Sequence, residues 1–401
     1  MLRPYQQEAV DNALEAIRAG RPGVLCLATG GGKSHIVAGI CQHLDNALII
    51  APSKELVVQN HSKLEQAFKE VAPDKVSELG IYSAGLGKRE LKPYTFATVN
   101  SVYKLGDKLK MFNTVLVDEG DLANPRKGMY KTVLDTIGTS RVIALTATPF
   151  RFEHQVKYGP QGVATCSTLR TMMSQGYFKD LLANVSTKDL MDAGYLSRIE
   201  YYKDPVGQAY TKSLRMNSQG TDYTEESLSY YGEQTAKHIA QKANRAIETG
   251  FCKKVLVFAV NIAIAERIAE LAHCHCITGE TKAKDRDKWL QEYKDAPTGV
   301  MVNVATLTTG VDIPSVDCII LARPTKSPRL YQQVLGRGIR LDPNNPDKVC
   351  KLIDETNTVE HLGRVEDMYI RGNQLYSAGR RLTDMPGRTI VIKRRKHGTA
   401  R

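Results

Sequence analysis

At 401 residues the chain exceeds what one hydrophobic core usually supports, so two domains are expected. A hydrophobic share of 42% with 24% charged residues is ordinary for a soluble globular protein, and no apolar run nears the roughly 18 residues that a membrane span needs. The net charge of +12 favours a polyanionic partner.

Residues 1–17 read as a polar, amphipathic helix and not as a signal peptide, so a cytoplasmic protein without membrane association is expected. At its start stand Arg3, Tyr5 and Gln6. A glutamine amide can donate to adenine N7 and accept from its N6 amine; Gln6 is the candidate for that pairing, with Arg3 and Tyr5 bracketing the base. A plain helix-start peptide is the alternative.

Short runs rich in Val, Ile and Leu then alternate with helix-like segments, the pattern of parallel strands joined by crossover helices. Strands are predicted over 24–27, 47–50, 95–99, 115–117 and 142–145, and in the second half over 255–260, 299–304, 318–321 and 349–353. Between the halves the sequence turns polar and Tyr-rich, with few clear strands. Ligands of open parallel sheets bind beyond the carboxyl ends of strands. Polar clusters at 28–34, 52–54, 100–101, 118–121 and 146–151 therefore mark one rim.

The first cluster holds Gly30, Gly31, Gly32, Lys33 and Ser34, although Leu27 replaces the leading glycine of the usual phosphate-loop pattern. Glycines let backbone N–H groups turn around phosphate oxygens, Lys33 supplies a point charge, and Ser34 offers a hydroxyl to Mg²⁺. The helix that follows adds its N-terminal dipole. Val117-Asp118-Glu119-Gly120-Asp121 ends an apolar strand. Asp118 would hold Mg²⁺ and Glu119 polarise an attacking water, where a lone acidic turn would be merely solvated.

In the second half, His273-Cys274-His275-Cys276 lacks a second ligand pair and reads as the start of a short strand, so no metal is expected there. The eight cysteines fit buried thiols in a reducing compartment. The stretch from Gln333 to Arg340 places Arg337 and Arg340 three apart, on one face of a predicted helix. From a separate lobe such arginines could act on a γ-phosphate; a surface salt-bridge face is the alternative. After Thr356, ten basic residues stand against four acidic ones, half the net charge of +12. That tail is either a solvated end or a phosphate-backbone anchor.

Taken in order, LRPYQ, ATGGGKS, APSKELVVQN, VDEGD, LTATPFR, ITGE, TTGVD and QQVLGRGIR resemble the motif set of superfamily 2 helicases. LRPYQQEAV, NVATLTTGVDIPSVD and YQQVLGRGIR are most similar to RadD-type DNA repair helicases, over most of residues 1–355. The resemblance implies an α/β fold of two tandem RecA-like parallel-sheet lobes. Lobe 1, for ATP binding, would span 1–195, an irregular connector 196–235, lobe 2 236–355, and a short basic tail 356–401.

It also implies ATP and Mg²⁺ as cofactors. Thr29 joins the phosphate loop; Gly310 and Asp312 would meet the nucleotide from lobe 2, and Gln333, Arg337 and Arg340 would complete the site on lobe closure. The place of Gly120 requires only a small residue. Asp121 would accept a hydrogen bond from Gln333, and Thr146 and Thr148 would couple ATP to nucleic acid. Pro52, Ser53, Lys54, Ser83, Gly85, Asn100 and Ser101 match first-lobe contacts to nucleic acid, while Asn261, Thr278, Gly279, Asn303 and Thr306 match second-lobe ones. Several of these also suit helix N-caps, Ser53 above all.

The implied activity is that of an ATP-dependent DNA helicase or translocase in repair, recombination or replication. It would act as a monomer on single-stranded or branched DNA, alongside other repair or replication proteins. An ATP-gated nucleic-acid clamp, the motor of a restriction complex and an RNA helicase stay open.

Overall fold

The structure is a computed structural model and describes residues 2–159, 162–304, 313–372, 374–382 and 390–392. The chain divides into two units, one mainly from residues 1–150 and 171–196, the other from 151–170, 197–308 and 313–401.

The first unit opens with helix α1, Pro4–Arg18, whose Ala9, Val10, Ala13, Leu14 and Ile17 form a buried stripe at helical spacing. Strand β1, Gly23–Leu27, leads through the glycine loop into α2, Lys33–Cys41. Then come β2, Ala47–Ala51, and α3, Lys54–Val71. Strands β3, Leu79–Ser83, β4, Lys88–Arg89, β5, Tyr94–Thr98, β6, Val115–Asp118, and β7, Val142–Thr146, complete the series with a further strand, Asp180–Val185. That last strand lies at one edge of the sheet, followed in order by β1, β7, β6, β2, β5, β3 and β4. The pairings among them are parallel except for the short β3–β4 pair.

Side-chain alternation explains why the central strands read as unbroken apolar runs. Leu25, Leu27, Ile49, Leu116, Ile143 and Leu145 pack into the core containing α1, α2 and α3. Val24, Leu48, Ile50, Val115, Val117 and Val142 pack into a second core, with Tyr130, Val133 and Leu134 of helix Gly128–Ile137. Both faces are covered, so both sets of alternate residues are apolar.

In the second unit six parallel strands run in the order Ile199–Lys203, Cys350–Asp354, Cys318–Leu321, Lys254–Phe258, Gly299–Asn303 and His275–Ile277. Helix Glu225–Glu248 lays Ala236, Ile239, Ala240 and Ala243 into this core, beside Ile264, Ala265 and Ile268 of helix Ile262–Ala272. Ile199–Lys203 falls in the stretch read as polar and poor in strands. As an edge strand it keeps Glu200, Tyr202 and Lys203 exposed, which hides its apolar signature. Beyond the main sheet, Met368–Arg371, Gln374–Ser377 and Arg380–Arg381 form an antiparallel meander, within the segment expected as a basic tail. Among the described residues no helix is long and apolar enough to cross a membrane.

Candidate nucleotide-binding site

Parallel strands bring their carboxyl ends to one edge of the first sheet, and chemistry collects there. Gly32 takes left-handed backbone (φ 77°) as the N-cap of α2, so Lys33 and Ser34 begin the helix. The Lys33 ammonium lies 3.4 Å from Glu119 Oε1, joining the loop to the end of β6. Burial alone would lower the lysine's pKa; the carboxylates of Glu119, Asp118 and Asp121 overcome it and hold the ammonium above its ordinary value. Burial, and then the charge of Glu119, push the Asp118 carboxyl up, against Lys33 and a hydrogen bond from Asn60. Two acids and a lysine so placed form a charge cluster out of water, where fields act strongly.

Glu119 itself sits in left-handed backbone at φ 50°, an unfavourable conformation for a non-glycine residue and one that collects at working sites. Gly120 corrects the sequence reading that any small residue suffices. A Cβ there would lie 2.6 Å from that of Ala144 on β7, so at this position the packing demands glycine. Asp121 is buried and accepts from the Thr146 hydroxyl at 2.7 Å; the same hydroxyl accepts from the Thr148 backbone N–H at 3.0 Å. The three expected coupling residues thus form one hydrogen-bonded chain inside the first unit.

Two neighbours carry no role in the sequence reading. Asn60, fully buried on α3, donates to Asp118 Oδ2 at 2.9 Å, and Gln59 donates to Ser34 Oγ at 3.2 Å. Their signal in the sequence is the Gln-Asn pair ending APSKELVVQN; only the packing of α3 against α2 turns it toward the loop. Among the described residues Glu119 Oε2, Asn60 Oδ1 and Thr148 Oγ1 are buried without a hydrogen-bond partner. Unspent acceptors and a hydroxyl beside Lys33, Ser34 and Asp118 suit a hydrated divalent cation and a triphosphate.

At the other end of the loop, Gln6 is buried, with Oε1 accepting from Arg3 N at 2.9 Å and Nε2 donating to Gly31 O at 3.2 Å. The Tyr5 hydroxyl donates to the same carbonyl at 2.9 Å. The Arg3 guanidinium lies 4.2 Å from the ring centroid of Tyr195, which itself packs 5.5 Å from Tyr5. Tyr195 is a third aromatic-side partner that the sequence reading missed. Thr29 is half-buried and Gly30 exposed at the mouth of the loop.

The first-unit contact candidates also gather, since β2, β5 and β3 are neighbours. Pro52, Ser53 and Lys54 follow β2, Gly85 follows β3, and Asn100 and Ser101 follow β5. Asn100 is exposed; Ser101 Oγ accepts from Ala84 N at 3.0 Å. Ser53 caps α3, accepting from Leu56 N at 3.3 Å, and Ser83 at the end of β3 is buried. In the second unit Asn261 caps its helix through Ile264 N, and Thr278 and exposed Gly279 lie in a turn in which Thr281 Oγ1 accepts from Thr278 N. Asn303 is fully buried; its amide donates to Val257 O at 2.9 Å, while its Oδ1 has no hydrogen-bond partner among the described residues. Thr306, Gly310 and Asp312 lie outside the described residues.

One expectation is corrected. Arg337 and Arg340 do not share a helical face, because helix Pro328–Leu335 ends first; Arg337 follows it in a turn and Arg340 in a β-bridge position. Past the helix end the backbone passes hard against the sheet at Gly338, where a Cβ would lie 2.4 Å from Cys350 Sγ. Gln333 and Arg337 are both buried in the second unit.

Residues 1–151 match the family model described as "Type III restriction enzyme, res subunit", and residues 238–342 match "Helicase conserved C-terminal domain". The chain belongs to the superfamily 2 helicases. It is 28% identical over 394 residues to IRC3 of Saccharomyces cerevisiae, whose name provisionally calls it an ATP-dependent helicase; that match covers 88% of this chain and 51% of IRC3. It is 22% identical over 373 residues to the "DNA 3'-5' translocase XPB2" of Sulfurisphaera tokodaii, covering 88% and 81%. A solved fragment from Vibrio vulnificus YJ016, provisionally titled an HsdR subunit of a type I restriction enzyme, superposes with a TM-score of 0.66 at 17% identity, covering 90% of this chain and 65% of that one. The chain thus spans about half the length of its Saccharomyces relative.

Proposed function

We propose that this superfamily 2 chain is an ATP-driven DNA motor, a helicase or translocase serving repair, recombination or replication. The observation that supports it best is the buried cluster at the edge of the first sheet: Lys33 against Glu119, Asp118 held by Asn60, and Asp121 tied to Thr146. In this reading the backbone of Thr29–Lys33 wraps the phosphates and Arg3, Tyr5 and Tyr195 form the wall for the base. Gln6, already bonded to Gly31, links the base side of the site to the phosphate loop. Ser34 and Asp118 would hold Mg²⁺, whose charge offsets that of the transferring phosphoryl group. Lys33 neutralises a phosphate oxygen, and Glu119, freed from Lys33, takes the proton of the attacking water. Arg337 and Arg340 add positive charge from the second unit, and Asp121–Thr146–Thr148 passes the change toward the strand-contact loops.

Glu119→Gln tests this. Steady-state ATP hydrolysis should fall about 10²–10⁴-fold, while ATP-dependent binding of DNA persists. Hydrolysis at the wild-type rate in that variant would remove Glu119 from the mechanism. Activation assays with single-stranded DNA, forked DNA and RNA then separate a DNA motor from an RNA helicase. Strong DNA binding with no DNA-stimulated turnover in the wild type would instead describe an ATP-gated clamp.

A further inference from the structure

The antiparallel meander at 368–381 has two different faces. Met368, Leu375 and Ser377 are buried on one side. On the other, cross-strand registry sets Tyr369 opposite Tyr376 and Tyr376 opposite Arg381, with Arg371 opposite Gln374 in the next row. The two tyrosine rings stack, centroids 5.3 Å apart and planes within 9°. Tyr369 is 41% exposed, high for a large aromatic ring, and Arg371 and Arg381 are exposed as well. The Tyr376 hydroxyl donates to Gln374 Oε1 at 3.0 Å, which fixes the ring of the inner tyrosine. Residues 368–382 contain three arginines and no aspartate or glutamate. The nearest acids in sequence are exposed Asp367, Glu366, which accepts from the Tyr201 hydroxyl at 2.6 Å, and Asp384, which lies outside the described residues.

From this arrangement we infer that the outer face of the meander is a stacking platform for single-stranded nucleic acid. An exposed ring at the end of an existing aromatic stack offers a π-face that any base can extend, and flanking guanidinium groups meet the phosphates on either side. A small sheet with aromatic rings and positive charge on its open face suits unpaired bases, since bases within a duplex are already stacked on one another. The platform rests on the nucleic-acid reading proposed above and adds to it a contact that none of the motif loops provides. It would hold the unpaired strand by its bases, where the loops of the first unit contact only the backbone.

The test is fluorescence anisotropy of the full chain with a labelled oligothymidine of about 20 nucleotides, compared with a blunt duplex. Replacing both tyrosines (Tyr369→Ala with Tyr376→Ala) should weaken oligothymidine binding roughly tenfold or more and leave duplex binding within about twofold. The Phe pair (Tyr369→Phe with Tyr376→Phe) should bind like the wild type, because stacking needs the ring and not the hydroxyl. Arg371→Glu, at an exposed position that does not threaten the fold, should weaken the single-strand complex and steepen its loss with salt less than in the wild type. Unchanged oligothymidine affinity in the Ala pair, or an equal loss on duplex, overturns the platform. Failure of the wild-type chain to bind oligothymidine at all would sink the nucleic-acid reading as well, so the two failures are told apart.

Discussion

Asn60 shows how much rests on single buried atoms. Among the described residues its amide is the one side-chain donor to Asp118, and that bond opposes the burial that pushes the carboxyl upward. Residues that orient a metal-holding carboxylate are commonly worth a factor of ten or more in affinity. Asn60→Leu, which keeps the volume and deletes the donor, should therefore raise the Mg²⁺ concentration for half-maximal ATP hydrolysis about 10–100-fold. A magnesium titration of steady-state turnover checks it, and an unchanged midpoint would assign Asn60 to packing alone. At the same scale Gly120 is legible in the sequence only as a small residue; its obligatory absence of a side chain comes from Ala144, a residue 24 positions away on β7.

At the scale of elements, the end of helix Pro328–Leu335 decides where the two arginines go. Gly338 lets the turn pass against Cys350 and Ile319, and Gly338→Ala should cost about 1–3 kcal/mol through overpacking. A thermal melt of the variant reads the loss, and an unchanged melting temperature would mean the turn can move aside. A second element-scale feature is the ion network around Glu355. His238 and Lys242 on helix Glu225–Glu248 face both Glu355 and Asp204, which caps the short helix Pro205–Ala209. Burial raises the Glu355 carboxyl above the ordinary carboxylate range despite Lys242 and His238. A carboxyl raised in the fold favours the native state below its unfolded pKa and loses that favour as pH rises through the folded value. Glu355→Gln leaves Lys242 and His238 their partner Asp204, so the variant should melt higher than the wild type at pH 8, by roughly 2–4 °C for each kcal/mol recovered. The two curves should converge below about pH 4. A variant less stable at pH 8 would show that the ion pairs outweigh burial.

For the molecule as a whole, the two-unit α/β plan is legible because each central strand is covered on both faces. That makes it a continuous Val-, Ile- and Leu-rich run, and eight of the nine predicted strands agree with observed ones within one residue at their starts and two at their ends. The ninth, Cys318–Leu321, agrees at both ends. Strands at the margins escape detection, because Ile199–Lys203 and the meander mix exposed polar residues with buried ones over four or five positions. The loop residues from Thr29 to Ser34, and Asp118 with Glu119, are equally legible, since phosphate and metal chemistry confine them to a few residue types at the ends of strands. By itself the sequence determined the superfamily, the alternation of strands and helices, and the rim on which the reactive groups stand, because local pattern and short motifs carry those. Tertiary structure alone decided that Asn60 and Gln59 serve the loop, that Gly120 tolerates no side chain, that the arginines leave their helix, and that two tyrosines share one open face. Each of those depends on atoms brought together from distant parts of the chain, and no local pattern records such a meeting.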